Sequence, residues 1–319
     1  MISLDNGFQE AVAIVADDGK SAARLCAALG YVRLYHGSMP PAALSLLGLD
    51  SGRRATDTLI GHPDSARGHI RLVAVEGRAA PVMRGGGRAW DSGGIFDINL
   101  RALGRSVDGV HEGLNRAGFV AHAPATTWDF GPLAVREVIA SDADGLCVAI
   151  MKRLHPPLLG YDGIGGPVSW VFNSTQIVPD FDAARALYVE ALGWLAVQET
   201  RGPAAQASGE NCMGLPRGLA PGIGMQIGIY HPHGRMEGSV EIIGFDCGGR
   251  DFSAATPPGR GWAALRFAVS DVDSYSRDMA EAGCAVSSAV AFDWAPYGVA
   301  RAVAAVTPWG ARLEAFAFS

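Results

Sequence analysis

Shifted by 165 positions, residues 94–149 of this chain superimpose on residues 259–314 without a gap. Gly94 falls on Gly259, Leu100-Arg101 on Leu265-Arg266, Val107-Asp108 on Val272-Asp273, and Ala117-Gly118 on Ala282-Gly283. Arg136, Val138, Ala140 and Gly145 then fall on Arg301, Val303, Ala305 and Gly310. A second shift, of 163, places Ile14-Val15 on Ile177-Val178, Asp17 on Asp180, and Leu29-Gly30 on Leu192-Gly193. Self-similarity of this kind means that one supersecondary unit is reused, and it restricts the fold before any composition is considered.

Each half divides again. A short alternating strand leads to a helical stretch opened by Asp and closed by Gly: Asp17 and Gly30 in the first quarter, Asp180 and Gly193 in the third. The second and fourth run through Val107–Ala117 and Val272–Ala282, closed by Gly118 and Gly283. Asp caps a helix N-terminus through its carboxylate, and Gly takes the left-handed conformation that ends one. Strand-like runs follow every helix. The reading is an α+β chain of four βαβββ modules, at 8–80, 92–152, 167–247 and 259–319. The halves, 1–155 and 167–319, are expected to be two domains joined by a Pro/Gly-rich linker at 156–166.

The 319 residues are ample for two domains, and 49% apolar against 18% charged residues permits a sizeable core. A net charge of −6, with no run of Lys or Arg longer than Arg53-Arg54, argues against a nucleic acid or an anionic membrane as partner. Five scattered cysteines without a CxxC pair suit a reducing compartment. The opening Met1-Ile2-Ser3-Leu4-Asp5 has no basic-then-apolar signal pattern, so a cytoplasmic location is expected. The expected partner is a small molecule, bound by a monomer or homodimer.

Two segments carry a family resemblance. Pro179-Asp180-Phe181-Asp182-Ala183-Ala184-Arg185-Ala186-Leu187-Tyr188 leads to Leu192-Gly193-Trp194. Pro296-Tyr297-Gly298-Val299-Ala300-Arg301 leads to Thr307-Pro308-Trp309-Gly310-Ala311-Arg312-Leu313-Glu314. The chain resembles the vicinal oxygen chelate superfamily of glyoxalases, bleomycin-resistance proteins and extradiol dioxygenases, over essentially its whole length. The resemblance implies paired modules whose curved mixed sheets enclose a cavity. It also implies metal ligands at two recurring places, on the first and last strand of each module. The first-strand places are Glu10, Asn99, Asn173 and Ala264; the last-strand places are Arg71, Ala149, Glu241 and Glu314.

None of these eight is histidine. A ring-cleaving dioxygenase iron needs two imidazoles and a carboxylate, so that activity ranks third. Glu241 and Glu314 match glyoxalase-type carboxylate ligands, and with waters would hold a divalent metal such as Mg²⁺ or Mn²⁺. The leading expectation is a glyoxalase-like lyase or isomerase with its site in the second half, working through an enolate-type intermediate on a hydrophobic or aromatic oxygenated compound. Glu314 serves as base or ligand, Tyr297 as acid or wall, and Glu241 as metal partner. Asn173, Arg266, Arg312, Phe316, Trp262 and Trp294 would contact the substrate. An ion pair of Glu314 with Arg266 or Arg301 is the competing structural reading. The alternative function is sequestration of an apolar compound without metal; the first half reads as mainly structural.

Overall fold

A computed structural model describes residues 7–77, 80–129 and 132–318, so the leader reading at Met1–Asp5 lies outside the described residues. Module one comprises β1 (Phe8–Ile14), α1 (Asp18–Leu29), β2 (Val32–Ser38), α2 (Pro41–Leu46), β3 (Ala55–Gly61) and β4 (His69–Val75). Module two comprises β5 (Asp97–Arg101), α3 (Val107–Arg116), β6 (Val120–Ala121), β7 (Thr126–Asp129), β8 (Ala134–Ser141) and β9 (Cys147–His155). Module three comprises β10 (Asn173–Ile177), α4 (Phe181–Ala186, with a π-turn over Leu187–Ala191), β11 (Leu195–Pro203), β12 (Gly224–His231) and β13 (Ser239–Phe245). Module four comprises β14 (Gly261–Ala268), α5 (Val272–Glu281), β15 (Ala285–Val286), β16 (Val290–Trp294), β17 (Gly298–Val306) and β18 (Arg312–Phe318).

The helix ends obey the local chemistry. Asp17 accepts from the Lys20 amide at 2.9 Å, and Gly30 closes α1 at φ +72°. Asp180 accepts from the Ala183 amide at 3.0 Å. In modules two and four the strand after the helix is broken, so that β6 and β7 both pair with β8, and β15 and β16 both pair with β17.

The two curved sheets do not follow the two halves of the sequence. One runs β15-β17-β18-β14-β1-β4-β3-β2 and joins module four to module one. The other runs β11-β12-β13-β10-β5-β9-β8-β6 and joins module three to module two. The seams are antiparallel pairs of first strands, with Val12 opposite Ala264 in one and Asn173 opposite Asn99 in the other. The expectation that 1–155 and 167–319 each close a cavity of their own is therefore corrected; those halves describe the duplication and not the sheets. The physical reason is that a first strand is left as an open edge in every module, and it pairs with whichever equivalent edge it meets.

One large core lies between the helical faces of the two sheets. Ala11, Ala13 and Leu72 from one sheet and Ile98, Leu100, Val148 and Ile150 from the other pack with Leu25 and Leu29 of α1 and Val110 and Leu114 of α3. Helices α1 and α3 touch, as do the α4 π-turn and α5, so the two modules of each half meet through helices while the sheets join one half to the other. No helix among the described residues is long and apolar enough to cross a membrane.

Candidate functional site

The opposite, concave faces of the two sheets offer two candidate cavities, and the sequence treats them differently. Alternation along β1 and β14 sends Glu10 and Arg266 to the concave face of the module one/four sheet, where β3, β4 and β18 add Asp57, Arg71 and Glu314. All five are buried. Arg71 Nε donates to Glu10 Oε1 at 2.8 Å and its Nη1 donates to Asp57. Arg266 donates to Glu10 at 2.7 Å and to Glu314 at 2.5 Å. Burial pushes the Glu10 carboxyl up, but the Arg71 and Arg266 charges overcome it and hold the group below its ordinary value. Asp57 moves the other way, because burial outweighs Arg71.

This cavity is filled. Trp294 lies over Arg266, with 4.8 Å from ring centroid to guanidinium, and against Phe316 at 4.1 Å. Tyr297 shares a 2.7 Å hydrogen bond with His69 Nδ1 and donates to Glu10 at 3.3 Å. The segment around α2 brings Met39, Leu44, Leu46, Leu47 and Leu49 down onto the same face, and Arg312 ties it in place by donating to the Leu46 carbonyl at 2.7 Å. Guanidinium groups thus stand among the carboxylates at the places where the resemblance implies metal ligands. Glu314, Tyr297, Arg266, Arg312, Phe316 and Trp294 are brought together as expected, but into a packed, ion-paired interior. The Arg266 partner of Glu314 is the structural reading raised at the outset. Trp262 belongs elsewhere, in the core between the sheets, its Nε1 donating to the Cys147 carbonyl at 2.7 Å.

The module two/three sheet keeps an open cavity of about 120 Å³. Here β5 contributes Asp97, Asn99 and Arg101 to one face, β10 contributes Asn173 and Thr175, and β13 contributes Glu241. Glu137 and Ile139 come from β8, and Met151 and Arg153 from β9. The covering segment, 204–223, presents Ala204, Ala205, Cys212, Met213, Leu215 and Ala220, of which Cys212 and Met213 reach the cavity wall, where the module one cover presents four leucines, a methionine and Ala43. Smaller side chains leave space.

Asn99 Nδ2 donates to Asn173 Oδ1 at 2.7 Å and to Thr175 Oγ1 at 3.0 Å; Asn173 Nδ2 donates to Ser239 at 2.7 Å. The Thr175 hydroxyl donates to Glu241 at 3.3 Å. Asp97 Oδ1 and Asn99 Oδ1 are buried without a hydrogen-bond partner among the described residues. Burial pushes Asp97 up to about 8. Glu241 is pushed up to about 8 by burial and by the neighbouring Asp97 and Glu137. Burial also raises Glu137, which accepts from the Cys212 thiol at 3.3 Å. Arg84, the cation that acts on Asp97, spends its own donors on the Gly93 and Asp91 carbonyls.

Glu241 and Glu314 lie on different sheets, so the expectation that they share a metal in one second-half cavity is corrected. The four family positions facing the open cavity are Asn99, Ala149, Asn173 and Glu241. Ala149 has no donor atom, and the Asn173 amide is committed to Asn99 and Ser239. Among the described residues no group of three or more His, Cys, Asp or Glu is placed to hold a metal. The donor set does not fit a divalent ion. Sequence reasoning missed Asp97, Glu137, Arg101 and Arg153 as cavity residues. A faint signal existed at Asp97, two residues before Asn99 on the same strand face.

No protein-family model and no curated protein sequence matches the chain. Among solved structures it is similar to glyoxalase I from Zea mays, with a TM-score of 0.62 and 13% identity, over 98% of this chain and 92% of that one. It is also similar to a candidate dioxygenase from Bacillus subtilis, with a TM-score of 0.58 and 12% identity, over 99% of this chain and 86% of that one.

Proposed function

We propose that this chain, which has the fold of the vicinal oxygen chelate superfamily, binds a small, largely apolar, oxygen-bearing organic molecule in the module two/three cavity. There it moves a proton on that molecule by carboxyl acid–base chemistry. One observation carries the reading: Asp97 and Glu241, both buried and neither in an ion pair among the described residues, face one largely apolar cavity, where burial raises both carboxyls to about 8. A general acid or base works best when it titrates close to the working pH, and enzymes raise carboxyls to that range by burial. With one of the pair protonated and the other ionised, a carbonyl oxygen receives a hydrogen bond while the carbon beside it loses a proton. This is the chemistry of isomerases and epimerases.

The test is hydrogen–deuterium exchange at the carbon beside the carbonyl of small ketones and 2-oxo acids, followed by NMR. Exchange by the native chain that falls about 10²–10⁴-fold in Glu241→Gln and Asp97→Asn supports the reading. Exchange unaffected by both variants defeats it.

A second reading, sequestration without chemistry, is favoured by Met151, Met213, Met225 and Met236 around the cavity. Methionine side chains adapt to varied apolar ligands. Tight binding with no exchange by the native protein would select that reading.

A further inference from the structure

The open cavity has two unlike ends. Asp97 and Arg101 are four residues apart on one face of β5, roughly 13 Å between Cα atoms at strand spacing. The Asp97 end carries the three carboxyl groups. At the Arg101 end the charge is reversed. Arg101 is nine-tenths buried, with its guanidinium 3.9 Å from the Phe172 ring centroid. Its Nη2 reaches Glu237 at 3.5 Å, and its Nε donates to the Tyr161 hydroxyl at 3.1 Å. Glu237 is already engaged, accepting from Tyr161 at 2.7 Å. Arg153 lines the same end and feels both the Arg101 charge and Glu237. Two guanidiniums therefore share one carboxylate. Arg153 Nε is a buried donor with no hydrogen-bond partner among the described residues, a condition that native interiors rarely leave unrelieved.

Between the two ends the lining is apolar: Phe172, Met151 and Met236 near the arginines, Ile139, Ile177 and Ile229 toward the carboxyls. Resting on the cavity assignment made above, we infer that the ligand is a small organic monocarboxylate. Its anionic group lies against Arg153 and Arg101, and its uncharged body extends toward Asp97 and Glu241. A carboxylate supplies acceptors to the unsatisfied Arg153 donor and balances the surplus positive charge. Guanidinium is the side chain whose geometry matches a carboxylate.

Three probes that share a ring and a chain length separate the possibilities: phenylacetate, 2-phenylethanol and 2-phenylethylamine. Binding of each to the full chain is measured by calorimetry. Phenylacetate is expected to bind about tenfold or more tightly than the alcohol, the span of a charge-assisted hydrogen bond. Arg153→Met is expected to erase that preference, and Arg153→Lys to restore part of it. Arg153 is the better variant than Arg101, because it is only half-buried and its removal spares the Tyr161–Glu237 contact. Equal binding of acid and alcohol overturns the inference, as does tighter binding of the amine or a preference that survives Arg153→Met. Any of these results leaves the proton-transfer proposal standing if Glu241-dependent exchange is still seen. Failure of all three probes together with absence of exchange defeats both.

Discussion

At the scale of single residues, the same family positions have been put to opposite uses in the two sheets. Where modules one and four meet, Arg71 and Arg266 neutralise Glu10 and Glu314 internally, and the positions are structural. Breaking such a buried network is costly because a charge is stranded, so Arg71→Met is expected to destabilise the fold by about 3–5 kcal/mol in denaturant titration. A loss under ~1 kcal/mol would mean that Glu10 and Asp57 do not depend on Arg71. Where modules two and three meet, no cation forms an ion pair with the carboxyls among the described residues, Arg84 offsets the burial of Asp97 only in part, and a pH signature follows. Folded, Asp97 and Glu241 keep their protons to about pH 8; unfolded, they lose them near pH 4. Between those values the folded chain binds more protons than the unfolded chain, so these groups make stability fall as pH rises, levelling off above the folded pKa values. Glu241→Gln removes one of the two. Its melting temperature is expected to exceed that of the native chain at pH 8 by roughly 2–4 °C per kcal/mol recovered, with the difference shrinking toward pH 4. A difference constant across that range would contradict the raised titration of Glu241.

At the scale of elements, the helices and their caps were legible because their signals are local: an Asp side chain reaching an amide three residues on, and a glycine at positive φ. The Thr307–Gly310 turn was legible for the same reason. Gly310 has φ +82°, and a Cβ there would sit 2.3 Å from the Ser253 carbonyl oxygen. The two covering segments were not legible. Helix α2 has only six residues, too few to show a helical period, and 204–223 carries little regular structure beyond the 3₁₀ turn Ala220–Gly222. Yet these covers decide which cavity is full. Leu44, Leu46, Leu47 and Leu49 plug one, while Ala204, Ala205 and Cys212 leave the other open.

At the scale of the whole molecule, each nine-stranded sheet takes four strands from one half of the chain and five from the other, among the described residues. Cutting at the Pro/Gly-rich linker therefore severs neither sheet's hydrogen bonds directly, but each fragment retains only part of both sheets. Residues 1–160 and 161–319, expressed apart, are expected to lack cooperative unfolding and to regain it on mixing, read by circular dichroism and calorimetry. Independent cooperative folding of either fragment would instead favour halves that close on themselves. The repeat, the helix caps and the α+β class were set by the sequence alone, since all depend on short-range patterns, while the eight positions to inspect came from the family resemblance. Only the tertiary structure decided which modules share a sheet, and with it that Glu314 is ion-paired while Glu241 faces an open cavity with Asp97 and Arg153. The four first strands are near-equivalent edges, and nothing local in them names a partner. That choice is made by packing of the helices and covers over the assembled chain.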